Sequence, residues 1–138
     1  DLTPLAHTYN RSAGLIDWTA NGRGLMIAEA RRTHRVLYYL PADGSPADLM
    51  TPATAVAGGF SFTPDQSAVA FTLQESDTPA DVFVSGLPGW TPRQLSHANA
   101  ALDVPPMGPT QLLSWTSPDG LEIEGLLTYP IGYTAGDK

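Results

Sequence analysis

Acyl transfer at a serine needs a hydroxyl on a sharp turn, a histidine to take its proton and a carboxylate behind the histidine. The chain has three histidines, His7, His34 and His97, and its nearest serine context to such a turn is Gly59-Phe-Ser61-Phe-Thr63. That context lacks the second glycine of a Gly-x-Ser-x-Gly elbow and falls in an expected strand. No His-Gly-Gly-Pro oxyanion segment is present, and without a nucleophile elbow no triad can be traced. No catalytic residue is therefore assigned. The histidines lie far apart, without His-x-x-x-His or carboxylate-flanked spacing, so no zinc site is expected. The chain contains no cysteine, which excludes thiolate metal sites and disulfides and leaves the redox compartment open. With no Gly-x-Gly-x-x-Gly or Walker-type loop, no cofactor is expected.

The remaining polar candidates read as structural. Asp65 in Thr63-Pro-Asp-Gln and Asp119 in Pro118-Asp-Gly120 suit turns, since Asp bonds its own backbone and Pro presets φ. Asp17 precedes Trp18 and is expected to serve packing, with a channel-lining position as the sharper alternative. Glu122 and Glu124 share one strand face, either solvated or salt-bridged to a further domain. The one basic run, Arg31-Arg-Thr-His-Arg35, is expected to be a solvated strand-to-strand loop. Trp18 and Phe62 are expected to anchor packing between repeats. Trp90, in Leu87-Pro-Gly-Trp-Thr-Pro92, is expected to cover a loop. With 14 acidic against 7 basic residues, the net charge of −7 argues against a nucleic-acid partner.

The elements that would position these residues are short strands. Thirteen prolines and 13 glycines are spread evenly through 138 residues and punctuate many short runs, which points to an all-β fold. No apolar run approaches the about 20 residues needed to span a bilayer, so no membrane partner is expected. No signal peptide is visible, and cytoplasmic, periplasmic and secreted locations all stay open.

A pattern repeats after about 45 residues. Gly14-Leu-Ile-Asp-Trp-Thr-Ala-Asn-Gly22 aligns with Gly58-Gly-Phe-Ser-Phe-Thr-Pro-Asp-Gln66, 44 residues on. Leu25–Ala30 then aligns with Val69–Gln74, Val36–Leu40 with Asp81–Ser85, and Asp48–Thr51 with Arg93–Ser96, the offset having grown to 45. Apolar residues recur at i and i+2, with β-branched and aromatic types filling the runs. Four strands at this period are the signature of a β-propeller blade, and Leu2-Thr3 resembles the tail of a preceding one. Two blades leave two apolar faces uncovered, so either further blades or self-association is expected to cover them.

The final segment supplies the most specific motif. Gln111–Thr116 and Leu121–Thr128 read as a hairpin around Pro118-Asp-Gly120. Trp115, Ser117, Asp119, Gly120, Ile123, Gly125, Leu127 and Pro130 fit the form Trp-x-Ser-x-Asp-Gly-x-x-Ile-x-Gly-x-Leu-x-x-Pro. This form resembles the junction between propeller and α/β-hydrolase domain in the prolyl oligopeptidase family of serine peptidases, particularly its acylaminoacyl-peptidase-like branch. Leu95-Ser-His-Ala-Asn-Ala-Ala-Leu102 is similar to the family's exit from its last blade.

The resemblance implies two C-terminal propeller blades in 1–97, a Pro-rich linker in 98–110, and the truncated start of a hydrolase domain in 111–138. It further implies that the propeller gates peptide substrates while a Ser-Asp-His triad lies beyond Lys138, leaving this chain inactive by itself. Its partners would then be the missing hydrolase domain, the remaining blades and the parent's peptide substrates. A non-enzymatic TolB-like propeller module for protein binding or self-assembly is the rival reading.

Overall fold

The computed structural model describes residues 4–9, 12–52, 56–103, 105–134 and 136. Among these residues the fold is all-β: ten strands and no helix, hence none long and apolar enough to cross a membrane. The first sheet is an antiparallel meander of β1 (Gly14–Trp18), β2 (Gly24–Arg31), β3 (His34–Pro41) and β4 (Asp48–Leu49). The second repeats it with β5 (Ala57–Phe62), β6 (Ala68–Leu73), β7 (Asp81–Gly86) and β8 (Arg93–Gln94). A two-stranded sheet of β9 (Thr110–Thr116) and β10 (Glu122–Thr128) comes last, and no sheet closes on itself. Leu2 and Thr3, read as a blade tail, lie outside the described residues.

The sequence repeat holds down to individual hydrogen bonds. Trp18 pairs with Leu25 and Phe62 with Val69; both first strands also carry an irregularity at the same place, between Leu15 and Asp17 and between Gly58 and Ser61. In the first turn Thr19 N donates to Gly24 O at 2.8 Å, Gly22 N to Thr19 O at 2.8 Å and Arg23 N to Asn21 Oδ1 at 2.9 Å. In the second, Thr63 N donates to Ala68 O at 3.1 Å, Gln66 N to Thr63 O at 2.8 Å and Ser67 N to Asp65 Oδ1 at 3.1 Å. The hairpin turn at Ser117–Leu121 uses the same design, with Asp119 as the Asx residue. Each turn needs a hydroxyl residue, an Asx acceptor and a left-handed residue, which is why Thr-Ala-Asn-Gly, Thr-Pro-Asp-Gln and Ser-Pro-Asp-Gly recur.

Gln66 breaks this rule. Its φ of 55° occupies the left-handed position that Gly22, at 68°, fills in the first repeat. A non-glycine residue there costs about 1–2 kcal/mol. The side chain supplies the compensation: its Oε1 accepts from Ala20 N and its Nε2 donates to Trp18 O, both at 2.8 Å. One amide thus bonds the turn of the second sheet to the backbone of the first. The two sheets also approach where Arg35 and Val56 form a parallel bridge.

Each sheet has its own small core. Ile27, Val36, Tyr38 and Leu40 form the first, joined by Leu5 and Ala6 from the N-terminal segment. Ala57, Val69 and Phe71 form the second, with Phe60, Phe62, Phe83 and Trp90 around them. Phe71 is 1% exposed and stacks on Trp90 with centroids 4.4 Å apart, so Trp90 covers the core, in keeping with its loop position. Trp18 corrects an expectation. Phe62 packs on the core of its own sheet, not between the repeats, and Trp18 is 55% exposed and binds the second sheet through its carbonyl, not its ring. Trp18 joins neither buried cluster, and Gln66 meets its backbone carbonyl instead of its ring.

This packing sets two outcomes for stability. Phe71→Ala should cost about 3–5 kcal/mol in urea unfolding and shift Trp90 emission to the red. An unchanged urea midpoint would contradict the packing described. At position 66 the order of melting temperature should be Gln, then Gly, then Ala, because Ala loses both bonds and keeps the strained φ while Gly loses only the bonds. A Gly variant as stable as the parent would remove the inter-sheet role of the amide.

Candidate functional site

Among the described residues, the ion pairs between side chains gather where the N-terminal segment, the β2–β3 turn and the hairpin meet. Arg31 ends β2, His34 begins β3, and Arg32 takes a φ of 54° in the two-residue connection. This places the Arg32 guanidinium off the end of the sheet. Its Nη1 donates to Glu124 Oε1, its Nη2 to Glu122 Oε2 and its Nε to Tyr9 Oη, each at 2.5 Å. Every guanidinium nitrogen has a partner, in the planar forked geometry that Arg provides and Lys does not. Glu124 first, then the Tyr9 hydroxyl and Glu122, hold the Arg32 pKa well above its already high ordinary value. Of the two carboxylates, Glu124 is the sheltered one, with its side chain 12% exposed against 71% for Glu122.

Tyr9 is itself fixed from behind. Its backbone N donates to Glu29 Oε2 at 3.2 Å, and Thr8 Oγ1 donates to Glu29 Oε1 at 2.8 Å. Glu29, 2% exposed on β2, is a buried carboxylate that ties the N-terminal segment to the first sheet. The Arg31 guanidinium stands 5.2 Å from the Tyr9 ring centroid, within cation–π range. A cleft of about 210 Å³, lined by Arg32, Ser114, Trp115, Thr116 and Glu122, opens beside the fork.

The structure thus brings together two groups that lie far apart in the sequence. The basic run is expected to be solvated, and Arg32 is instead an intramolecular binding group. Glu122 and Glu124 do share a face, and Arg32 on the β2–β3 turn of this chain is their partner. Tyr9 and Glu29 carry no local signal, because only the fold places them behind Arg32. Asp17 is exposed and caps its own neighbour, accepting from Trp18 N at 2.8 Å. Asp65 and Asp119 are turn-formers as expected. Ser61 lies exposed on β5, opposite Ala70. His7 and His97 are exposed, and His34 Nδ1 lies 3.2 Å from Thr33 Oγ1, its chain neighbour. Among the described residues no three His, Asp or Glu side chains gather as metal ligands.

A second polar node anchors the segment leaving the second sheet. The Asp81 carboxylate accepts from Ser96 Oγ, from Ala98 N at 3.0 Å and from Gln94 Nε2 at 3.1 Å, and Asn99 Nδ2 donates to Ala80 O at 2.8 Å. The Ser96 hydroxyl, then the Ala98 amide, hold the Asp81 pKa below the usual carboxylate value; Ser117 and Leu121 do the same for Asp119. Depressed folded-state values stabilise the fold above the ordinary Asp range, and this contribution disappears as pH falls through the folded values. The urea midpoint should therefore be flat from pH 7 to about 5 and drop below about 4. Asp81→Asn should lower the plateau and flatten the drop. An unaltered acid profile in that variant would contradict the assignment.

No protein-family model matches the chain, and neither does any curated protein.

Proposed function

We propose that this chain is part of a serine peptidase of the prolyl oligopeptidase family, most similar to the acylaminoacyl-peptidase-like branch. On this reading the two four-stranded sheets are propeller blades, 98–110 is the linker, and β9–β10 opens an α/β-hydrolase domain. The observation that carries the reading is the hairpin. Leu113, Trp115, Ile123 and Leu127 share one face of it, pairing Trp115 with Ile123 and Leu113 with Gly125. All four side chains are exposed, Trp115 at 50%. An isolated two-stranded hairpin is marginal in water, and an apolar strand face of this kind suits the first strands of a larger sheet.

The repeated sheets support the blade assignment through period, strand number and register. In this scheme the residues present gate peptide access and supply no chemistry. Acyl transfer belongs to a nucleophile elbow, oxyanion hole and triad encoded downstream. A purely binding propeller would give the hairpin and its Arg32 anchorage no role, which favours the peptidase.

A fluorophosphonate probe should leave the 138-residue chain unlabelled. The gene product carrying the downstream sequence should be labelled at a single serine. Labelling of the short chain, or none of a longer product, would overturn the reading.

A further inference from the structure

We propose that Arg32 is a salt-sensitive latch that holds the free end of the β9–β10 hairpin against the first sheet. The strands of the hairpin pair only with each other. Of the described hydrogen bonds, only the two from Arg32 reach from these strands to the first sheet. The base of the hairpin closes on itself: Tyr129 N donates to Pro109 O at 3.0 Å, and Gly108 sits so close to Tyr129 that an added Cβ would lie 1.8 Å from its carbonyl oxygen.

Upstream, among the described residues, the last bond to a sheet is the one from Ala98 N to Asp81 of β7, Asn99 bonds Ala80 just before that strand, and the turn there ends with Leu102 N donating to Asn99 O at 2.9 Å. Pro105 and Pro106 have no N–H to offer, and no described hydrogen bond ties them or Met107 to either sheet. The latch acts at the opposite end. Glu122 and Glu124 lie beside the turn, while the base pair is Thr128 with Thr110. Six residues of strand at about 3.3 Å each give a lever roughly 20 Å long, with no described hydrogen bond to either sheet at its base and held near its tip.

The holding force is electrostatic and partly exposed, so added salt screens it. The cleft of about 210 Å³ beside the fork leaves room for the hairpin to rock. Release frees both glutamates and leaves the Arg32 guanidinium with Tyr9 as its remaining partner, without breaking any strand pairing. The latch stands whether or not the peptidase reading does.

The absence of cysteine makes the test direct. Spin labels on Ala42→Cys and Leu121→Cys, both exposed positions, report the distance from the first sheet to the hairpin tip by pulsed electron resonance. A narrow distribution at low salt should at least double in width in 1 M NaCl and in Arg32→Gln at low salt. The charge swap Arg32→Glu with Glu122→Lys and Glu124→Lys should restore it, while far-UV dichroism stays unchanged. A distribution that stays narrow in 1 M NaCl, or in Arg32→Gln, would overturn the latch. The salt arm uses an intact Arg32 and decides the matter even if that variant does not fold.

Discussion

A four-stranded antiparallel meander has two faces and, at this size, enough apolar side chains to cover only part of them. Everything else in the structure answers that constraint. The first sheet recruits Leu5 and Ala6 from the N-terminal segment, and the second turns Trp90 back over Phe71. Neither sheet buries its faces by closure. The units are then joined edge to edge by polar devices: the Gln66 amide on Trp18 and Ala20, the Arg35–Val56 bridge, and the Arg32 fork on Glu122 and Glu124. Polar joints of this kind fix register between neighbours without demanding a shared apolar core.

The three turns show how one local solution is reused. A hydroxyl residue, an Asx acceptor and a left-handed residue close β1–β2, β5–β6 and β9–β10 alike. Only at Gln66 does a side chain other than glycine occupy the strained position, and only there does the turn bond to the neighbouring sheet. Strain accepted at one residue is balanced by an inter-sheet contact made by the same residue.

Strand existence, strand order within each repeat and the turns are legible in the sequence because period-2 patterning and turn chemistry are local signals. The growth of the offset from 44 to 45 appears in the register, where Trp18–Leu25 corresponds to Phe62–Val69 and Tyr38–Leu49 to Phe83–Gln94. The joints between units are not legible. Arg32 and Glu124 lie 92 residues apart, and nothing in either neighbourhood marks them as partners. Trp18 departs from expectation for a related reason: equivalence to Phe62 in the repeat does not give it an equivalent neighbour. The alternation of Leu121, Ile123, Gly125 and Leu127 with Glu122, Glu124 and Leu126 predicts a half-buried strand, and Leu121, Ile123 and Leu127 are exposed.

The central functional claim is that these sheets and this hairpin belong to a larger hydrolase. The intact mass of the natural gene product tests it most directly. A product several times heavier than 14.6 kDa, with a Gly-x-Ser-x-Gly elbow downstream of Lys138, is the predicted result. A natural product of 14.6 kDa would contradict it and leave binding or assembly as the function of the two sheets.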